Sequence, residues 1–202
     1  MPVTYQMLIG LILYAFVTSA TPGPNNVMLL ASGANFGFRR TVPHMIGISI
    51  GCAVMLTTLG LGVAALLADV PRVRLATKFL TVAYMGWLAW KIAHAAAPGA
   101  ANGRARPMNV LEAAAFQWVN PKAWAMAVGA ISGYAPTGST QALSVLVVVF
   151  SAVNLPSVAI WAYAGEALRH WLMDDRRRRT FNWTMAVLLV ISLVPMLAVR
   201  TL

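Results

Sequence analysis

The sequence predicts an all-α, polytopic membrane protein of six transmembrane helices, arranged as two inverted three-helix repeats with broken helices 1 and 4. Three observations predict it. Apolar runs of about 20 residues, the length that crosses a bilayer, recur along nearly the whole chain. Only 10% of the 202 residues are charged, against about 25% in soluble proteins, which leaves too little polar sequence for a separate soluble domain. Two of the runs are interrupted by proline, at Thr21-Pro22-Gly23-Pro24-Asn25-Asn26 and at Asn120-Pro121-Lys122. The spans of a β-barrel would read instead as short alternating segments.

The first segment covers about 5–34. It exceeds the roughly 20 residues of a straight span, as a broken helix must. The second covers about 43–67 and opens on Val42-Pro43, the third about 75–95, the fourth about 111–134, the fifth about 142–166 and the sixth about 183–200. The loops between them alternate sides. One side collects Arg39, Arg40, Lys91, Arg104, Arg106, Arg169 and Arg176 to Arg179; the other collects Arg72, Arg74, Lys78 and Arg200. The positive-inside rule places the richer set in the cytoplasm and both termini outside. The run from Asp174 to Arg179 reads as a cytoplasmic loop anchor.

Residues 97–110 form a cytoplasmic linker, with a flexible loop at Pro98 to Gly103. It separates a first three-helix repeat, 1–96, from a second, 111–202, within one membrane domain. An odd number of helices per half gives the halves opposite orientations. Interrupted helices at corresponding positions of inverted halves are the sequence signature of a secondary transporter's site.

The chemistry sits at the two breaks. Pro22 and Pro24 lack N–H groups, which frees the carbonyls of Thr18 and Ala20; Pro121 frees that of Gln117. At membrane depth such a break survives only where protein or a water-filled cavity satisfies the freed groups. Asn120 suits a helix N-cap and Pro121 the first helical position, and Gly23-Pro24 reads the same way. Each restarted half-helix presents unpaired N–H groups and a partial positive charge, which bind carboxylate. The first break lies about 17 residues, or about 26 Å, in from outside, and the second about 10 residues, or about 15 Å, in from the cytoplasm. In a core about 30 Å thick, tilt brings both to one level.

Lys122 costs about 2.5–3.5 kcal/mol at such depth and marks function by default. Two compatible readings are open: countercharge to a substrate carboxylate, or a structural lysine bonded to freed carbonyls of the first helix. The substrate-binding candidates are Thr21, Pro22, Gly23, Pro24, Asn25, Asn26, Gln117, Asn120, Pro121, Lys122 and Asn154, whose amide, beside Pro156, is expected to face the cavity. Asp69, Glu112, Glu166, Asp174 and Asp175 all fall in loops or near helix ends. With no buried carboxylate to offset a second positive charge, the substrate is expected to be a neutral amino acid. His44 and Glu166 are the candidates for proton coupling, against a plain interfacial placement of each.

Other features have structural readings beside functional ones. Gly47 to Gly51 is a small-xxx-small pattern for close helix packing. Tyr84, Gly86 and Trp87 pack or line a path. Trp118, Trp124 and Trp161 form core, or offer cation–π contacts to an ammonium. The net charge of +10 reads as topology and lipid-headgroup contact rather than nucleic-acid binding. Cys52 is alone and His44, His94 and His170 lie far apart, so no metal, cofactor or disulfide is expected. The first apolar stretch lacks the basic start of a removable signal peptide, although Thr18-Ser19-Ala20 mimics a cleavage site. Catalytic residues are not expected: an integral-membrane enzyme would need a clustered nucleophile, base or metal set. An uncoupled channel or facilitator for small zwitterions stays open as the alternative to a coupled transporter.

These residues resemble the LysE/RhtB family of bacterial amino-acid exporters, over essentially the whole chain. The likeness rests on Thr21 to Asn26, on Gly37-Phe38-Arg39-Arg40, on Ala83-Tyr84-Met85-Gly86-Trp87-Leu88 and on Asn120-Pro121-Lys122. The stretches Trp87 to Ala93 and Phe116 to Asn120 are most similar to its cysteine/O-acetylserine exporter branch. The resemblance implies efflux of amino acids or derivatives across the bacterial inner membrane, driven by the proton gradient, from six helices in two inverted halves, with a homodimer plausible. Homoserine, threonine and leucine belong to the same substrate class. Many members carry Gly-Asp in the second helix; here the comparable stretch is Gly51-Cys52, which removes an obvious proton-binding carboxylate.

Overall fold

The computed structural model describes residues 4–63, 71–95, 106–135 and 139–193, with side chains from Phe79 onward in the second stretch. The Pro98 to Gly103 loop, Arg104, Arg200 and the side chains of Arg72, Arg74 and Lys78 lie outside the described residues. What is described is helical, with no strand among the described residues.

Helix α1 (Tyr5–Ala20) opens on Thr4, whose hydroxyl accepts from the Met7 N–H at 3.3 Å. It ends because Pro22 and Pro24 cannot extend the hydrogen-bond ladder. Helix α2 (Pro24–Phe36) restarts with Pro24 in its first turn, and the pair is bent by 56°. Gly37 then takes φ +86°, a conformation that L side chains rarely adopt, and turns the chain directly into α3 (Phe38–Thr58). A π-helical turn, Leu59–Val63, extends α3. Helix α4 spans Pro71–Ala93. Helix α5 (Val110–Phe116) starts at a capping box: Asn109 accepts from Glu112 N and the Glu112 carboxylate accepts from Asn109 N. A 3₁₀ turn, Gln117–Val119, leads to the second break and to α6 (Pro121–Tyr134). Helix α7 (Thr140–Leu168) runs through Pro156, and α8 spans Asp175–Ile191.

Among the described residues, two helices are long and apolar enough to cross a membrane: Phe38–Gly62, with mean hydropathy 1.9, and Thr140–Leu168, with 2.2. The bent pair α1 and α2 makes a third if counted as one span. The fourth segment falls short because Asn120 cuts it into two short helices, and the sixth begins with a charged turn.

Two boundaries differ from expectation. The second helix begins at Phe38 rather than at Pro43, because the Gly37 turn has already reversed the chain; Pro43 sits exposed inside the helix. The sixth begins at Asp175, so Arg176 to Arg179 are helical and not a loop. Asp174 caps them by accepting from Arg177 N at 2.9 Å, and Asp175 pairs with Arg178 at 2.6 Å.

The core forms three apolar clusters. One joins α1, α3, α6 and α7 around Leu11, Leu146 and Phe150. A second joins α2, α4, α5 and α8 around Met85, Phe116 and Leu189. The third lies between α2, α3, α5 and α7 around Leu29, Ile48 and Ala162. Small residues set the crossings. Gly47 and Gly51 face Val110 to Ala114 of α5, the close approach their spacing predicted. Gly33 of α2 and Gly165 of α7 meet each other's helices still more closely: a methyl on either would overlap a backbone carbonyl oxygen, that of Ala162 or of Leu30.

Candidate substrate cleft between two helix breaks

The two breaks meet. The ammonium of Lys122, at the start of α6, donates to the Thr21 carbonyl at 2.6 Å, the Thr21 hydroxyl at 2.9 Å and the Pro22 carbonyl at 3.3 Å. Lysine here caps the carbonyl end of α1, where the helix dipole favours a cation. The reading of Lys122 as bonded to first-helix carbonyls therefore describes this conformation, although the carbonyls are those of Thr21 and Pro22. Gly23 is what lets the lysine lie across the break: a Cβ on Gly23 would come within 2.5 Å of Lys122 Cδ.

The carbonyls expected to stand free are already taken. That of Thr18 accepts from the Thr21 hydroxyl at 3.2 Å, that of Ala20 from Trp161 Nε1 at 3.1 Å, and that of Gln117 from Asn120 N at 3.2 Å. Unpaired buried carbonyls are costly, and short polar side chains near the breaks are within reach. Trp124 donates to the Trp118 carbonyl and packs edge-on to the Trp118 ring. All three tryptophan side chains are thus in structural contacts.

The amides divide into two sets. Asn26 is buried and donates to the Ser19 and Thr21 carbonyls, both at 2.7 Å, locking the bend from below. Asn25 and the buried Gln117 pair their amides reciprocally at 2.9 and 3.2 Å, joining α2 to the 3₁₀ turn after α5. Asn154 donates to the Ser19 hydroxyl and accepts from that of Ser49, each at 3.0 Å. It thereby ties α7 to α1 and α3. Asn154→Ala is expected to strip both bonds and lower stability by about 0.6–1.7 kcal/mol, the range for buried polar pairs in membranes, read as a lower thermal midpoint in detergent.

The helix N-termini are not equivalent. At α6 the side chain of Asn120 accepts from Lys122 N at 3.1 Å, with Pro121 in the first turn. At α2 no side chain caps the start. Its first-turn N–H groups, unpaired by the geometry of any helix start, border a narrow open cleft. Gly23, Asn25, Asn26, Asn120, Lys122 and Asn154 line that cleft, with Thr18, Ser19, Met126 and Val158. None of these is acidic. A cation, an uncapped helix start and several amides thus converge in a small space, a set suited to one carboxylate and one ammonium.

Six of the predicted residues line the cleft. Thr21, Pro22, Pro24, Gln117 and Pro121 are not among its lining residues. Glu166 does not reach it; its carboxylate lies beside Gly37, at the far end of α2. His44 is also outside, 1% exposed on α3, with neither ring nitrogen hydrogen-bonded. Of the other lining residues, Thr18 was expected to contribute only its carbonyl, and Ser19 and Met126 were not among the binding candidates. Ser19 and Thr18 carry a signal in retrospect, being the small polar residues just before the break. No group of acidic, histidine and cysteine side chains could hold a metal among the described residues.

The profile of the LysE type translocators matches residues 16–198. The chain belongs to that family. The translocator is 34% identical over 182 residues to the cysteine/O-acetylserine efflux proteins of Escherichia coli strains K12 and HS and of Shigella sonnei, covering 88% of this chain and 90% of each relative. No solved structure matches it. Family membership makes the protein a transporter rather than an enzyme, and it places the apolar helices in a membrane.

Proposed function

We propose that this translocator exports small neutral amino acids and their derivatives, of the cysteine/O-acetylserine kind named for its relatives, from the cytoplasm across a bacterial inner membrane. The observation that carries this reading is the cleft, where the uncapped start of α2 faces Lys122 and five asparagine or serine side chains, with no acid among the lining residues. The substrate carboxylate meets the α2 N–H groups and Lys122. Its ammonium meets the side-chain oxygens of Asn25, Asn120 and Asn154.

Lys122 gives this binding a mechanical consequence. All three of its bonds hold the α1 break. A carboxylate that draws the ammonium away releases the Thr21 and Pro22 carbonyls and loosens the bend, so occupancy and helix geometry are linked. Alternating access then consists of one half rocking against the other in a six-span, inverted arrangement with both termini outside. The packing supports that arrangement: α1 and α2 lie on α7 as α5 and α6 lie on α3, and α4 pairs with α8. A homodimer and coupling to the proton gradient complete the proposal. His44 is the better coupling candidate, being buried and unpartnered, whereas Glu166 lies against the Gly37 turn.

Proteoliposomes loaded with labelled cysteine, O-acetylserine, threonine, leucine or lysine test the reading. Efflux of the neutral compounds, stimulated by an imposed pH gradient, is the expected result. Lysine efflux in preference to the neutral compounds would overturn it, and gradient-independent equilibration would make the protein a facilitator. In the same assay His44→Gln is expected to abolish the stimulation; equal stimulation in variant and wild type removes His44 from the coupling step.

A further inference from the structure

A second, apolar cavity adjoins the cleft. Cys52, Met55 and Leu56 of α3, Ala123, Met126 and Ala127 of α6, and Phe150 of α7 line it. Two connections join it to the polar cleft. Met126 lines both spaces. The Cys52 thiol contacts the Gln117 side-chain oxygen at 3.7 Å, and that oxygen also accepts from Asn25, a residue of the cleft wall. The Tyr14 hydroxyl, donating to the Met126 carbonyl at 3.1 Å, fixes the backbone at the junction.

Resting on the export reading, we infer that the apolar cavity is the side-chain subsite of the transporter, and that it selects uncharged side chains ending in sulfur, a methyl or an aliphatic group. An amino acid whose carboxylate and ammonium are held in the cleft has its side chain directed past Met126. The lining offers a hydroxyl or a charge nothing beyond the Cys52 thiol, which is engaged with Gln117. Burying such a group there without a partner is unfavourable. A thiol, a thioether or an ester methyl loses nothing by entering. The room already open there is about 10 Å³, about what a single water needs, so a side chain enters only as the lining re-packs. Met55 and Met126 are the flexible members able to re-pack around an occupant. Cysteine and O-acetylserine, the compounds in the relatives' names, both satisfy this rule, and methionine is the longest common amino acid that does.

The test varies the cavity and compares substrates. Proteoliposomes are loaded with labelled methionine, cysteine, alanine or serine and efflux rates are compared as ratios. Ala127→Leu, which fills the cavity, is expected to lower the methionine-to-alanine ratio at least about tenfold, the lower end of what one or two methylenes decide in an apolar pocket. Met55→Ala, which enlarges it, is expected to raise that ratio, and keeps the question answerable if the filled variant does not fold. Wild type is expected to prefer cysteine to serine. Parallel changes for all four substrates in both variants would overturn the subsite while leaving amino-acid export intact. Failure of folded wild type to move any of the four would overturn the export reading with it.

Discussion

Lys122→Met is expected to fold and to lose export. The substitution keeps the length and apolar stem of the side chain but removes the ammonium, and with it three bonds to Thr21 and Pro22. Hydrogen bonds to a charged group contribute about 1.5–3 kcal/mol. If the same charge meets the substrate carboxylate, that loss slows efflux by about ten- to a hundredfold at roughly 1.4 kcal/mol per decade. The two roles of Lys122 separate experimentally. A purely structural lysine gives a less stable protein whose surviving fraction binds substrate normally. A countercharge gives a protein of near-normal thermal midpoint that no longer shifts when substrate is added. Lys122→Arg is expected to restore the charge but only part of the rate, because a planar fork cannot reproduce three convergent bonds across the extended Gly23. Wild-type efflux from Lys122→Met would remove the countercharge from the mechanism.

Gly23 checks the same geometry from the other side. Gly23→Ala puts a methyl against Lys122 Cδ at 2.5 Å. The neighbour is a side chain, so it moves rather than unfolding the protein. The expected result is a folded protein with weakened binding, resembling a partial loss of the lysine.

Why the breaks were legible, and their contents only in part, follows from which interactions are local. Proline removes an N–H whatever surrounds it, so Pro22, Pro24 and Pro121 announced the interruptions, and Lys122 announced itself by its charge in an apolar run. That these two stretches meet was an inference from depth; in the structure Lys122 bonds to Thr21. The partner of the Ala20 carbonyl was not legible. It depends on Trp161 arriving from 141 residues away, a fact of helix packing that no local pattern carries. Asn120 was read as a cap, yet its consequence, that α6 offers less to an anion than α2, needed the comparison of both helix starts. The helix beginning at Phe38 was missed because Pro43 looks like a start, whereas Gly37 makes the turn through a positive φ that only the backbone reveals. The small-xxx-small spacing of Gly47 and Gly51 exposed one helix crossing. Gly33 and Gly165 belong to different helices; Gly165 has no glycine four residues away, and the one that follows Gly33 is Gly37, the turn residue, so the tighter crossing left no pattern along one helix to find.

That crossing supports the second large effect. Gly33→Ala and Gly165→Ala are each expected to destabilise the protein severely. Adding one methyl to a well-packed core costs about 1–3 kcal/mol and occasionally more, and the usual relief is a rotated side chain. Here the obstruction is backbone on both sides: the Ala162 carbonyl and the Glu166 N–H against Gly33, the Leu30 carbonyl and the Ala34 N–H against Gly165. Relief requires α2 and α7 to separate. Gly86 and Gly133 are the matched controls, since an added Cβ meets nothing within 4 Å at either. Alanine there should be neutral or stabilising by up to about 1 kcal/mol, because glycine is a poor helix former. Melting curves of the four variants in detergent distinguish the pairs, and equal midpoints would disprove the crossing. The clash also reaches the cleft. Helix α2 carries Asn25 and Asn26 at its other end, and α7 carries Asn154, so any Gly33→Ala protein that folds has its cleft residues displaced relative to one another. Its substrate affinity should fall further than its stability alone accounts for, while a Gly86→Ala protein tests whether that glycine, in the Tyr84 to Trp87 stretch shared with the family's pattern, has a role other than packing.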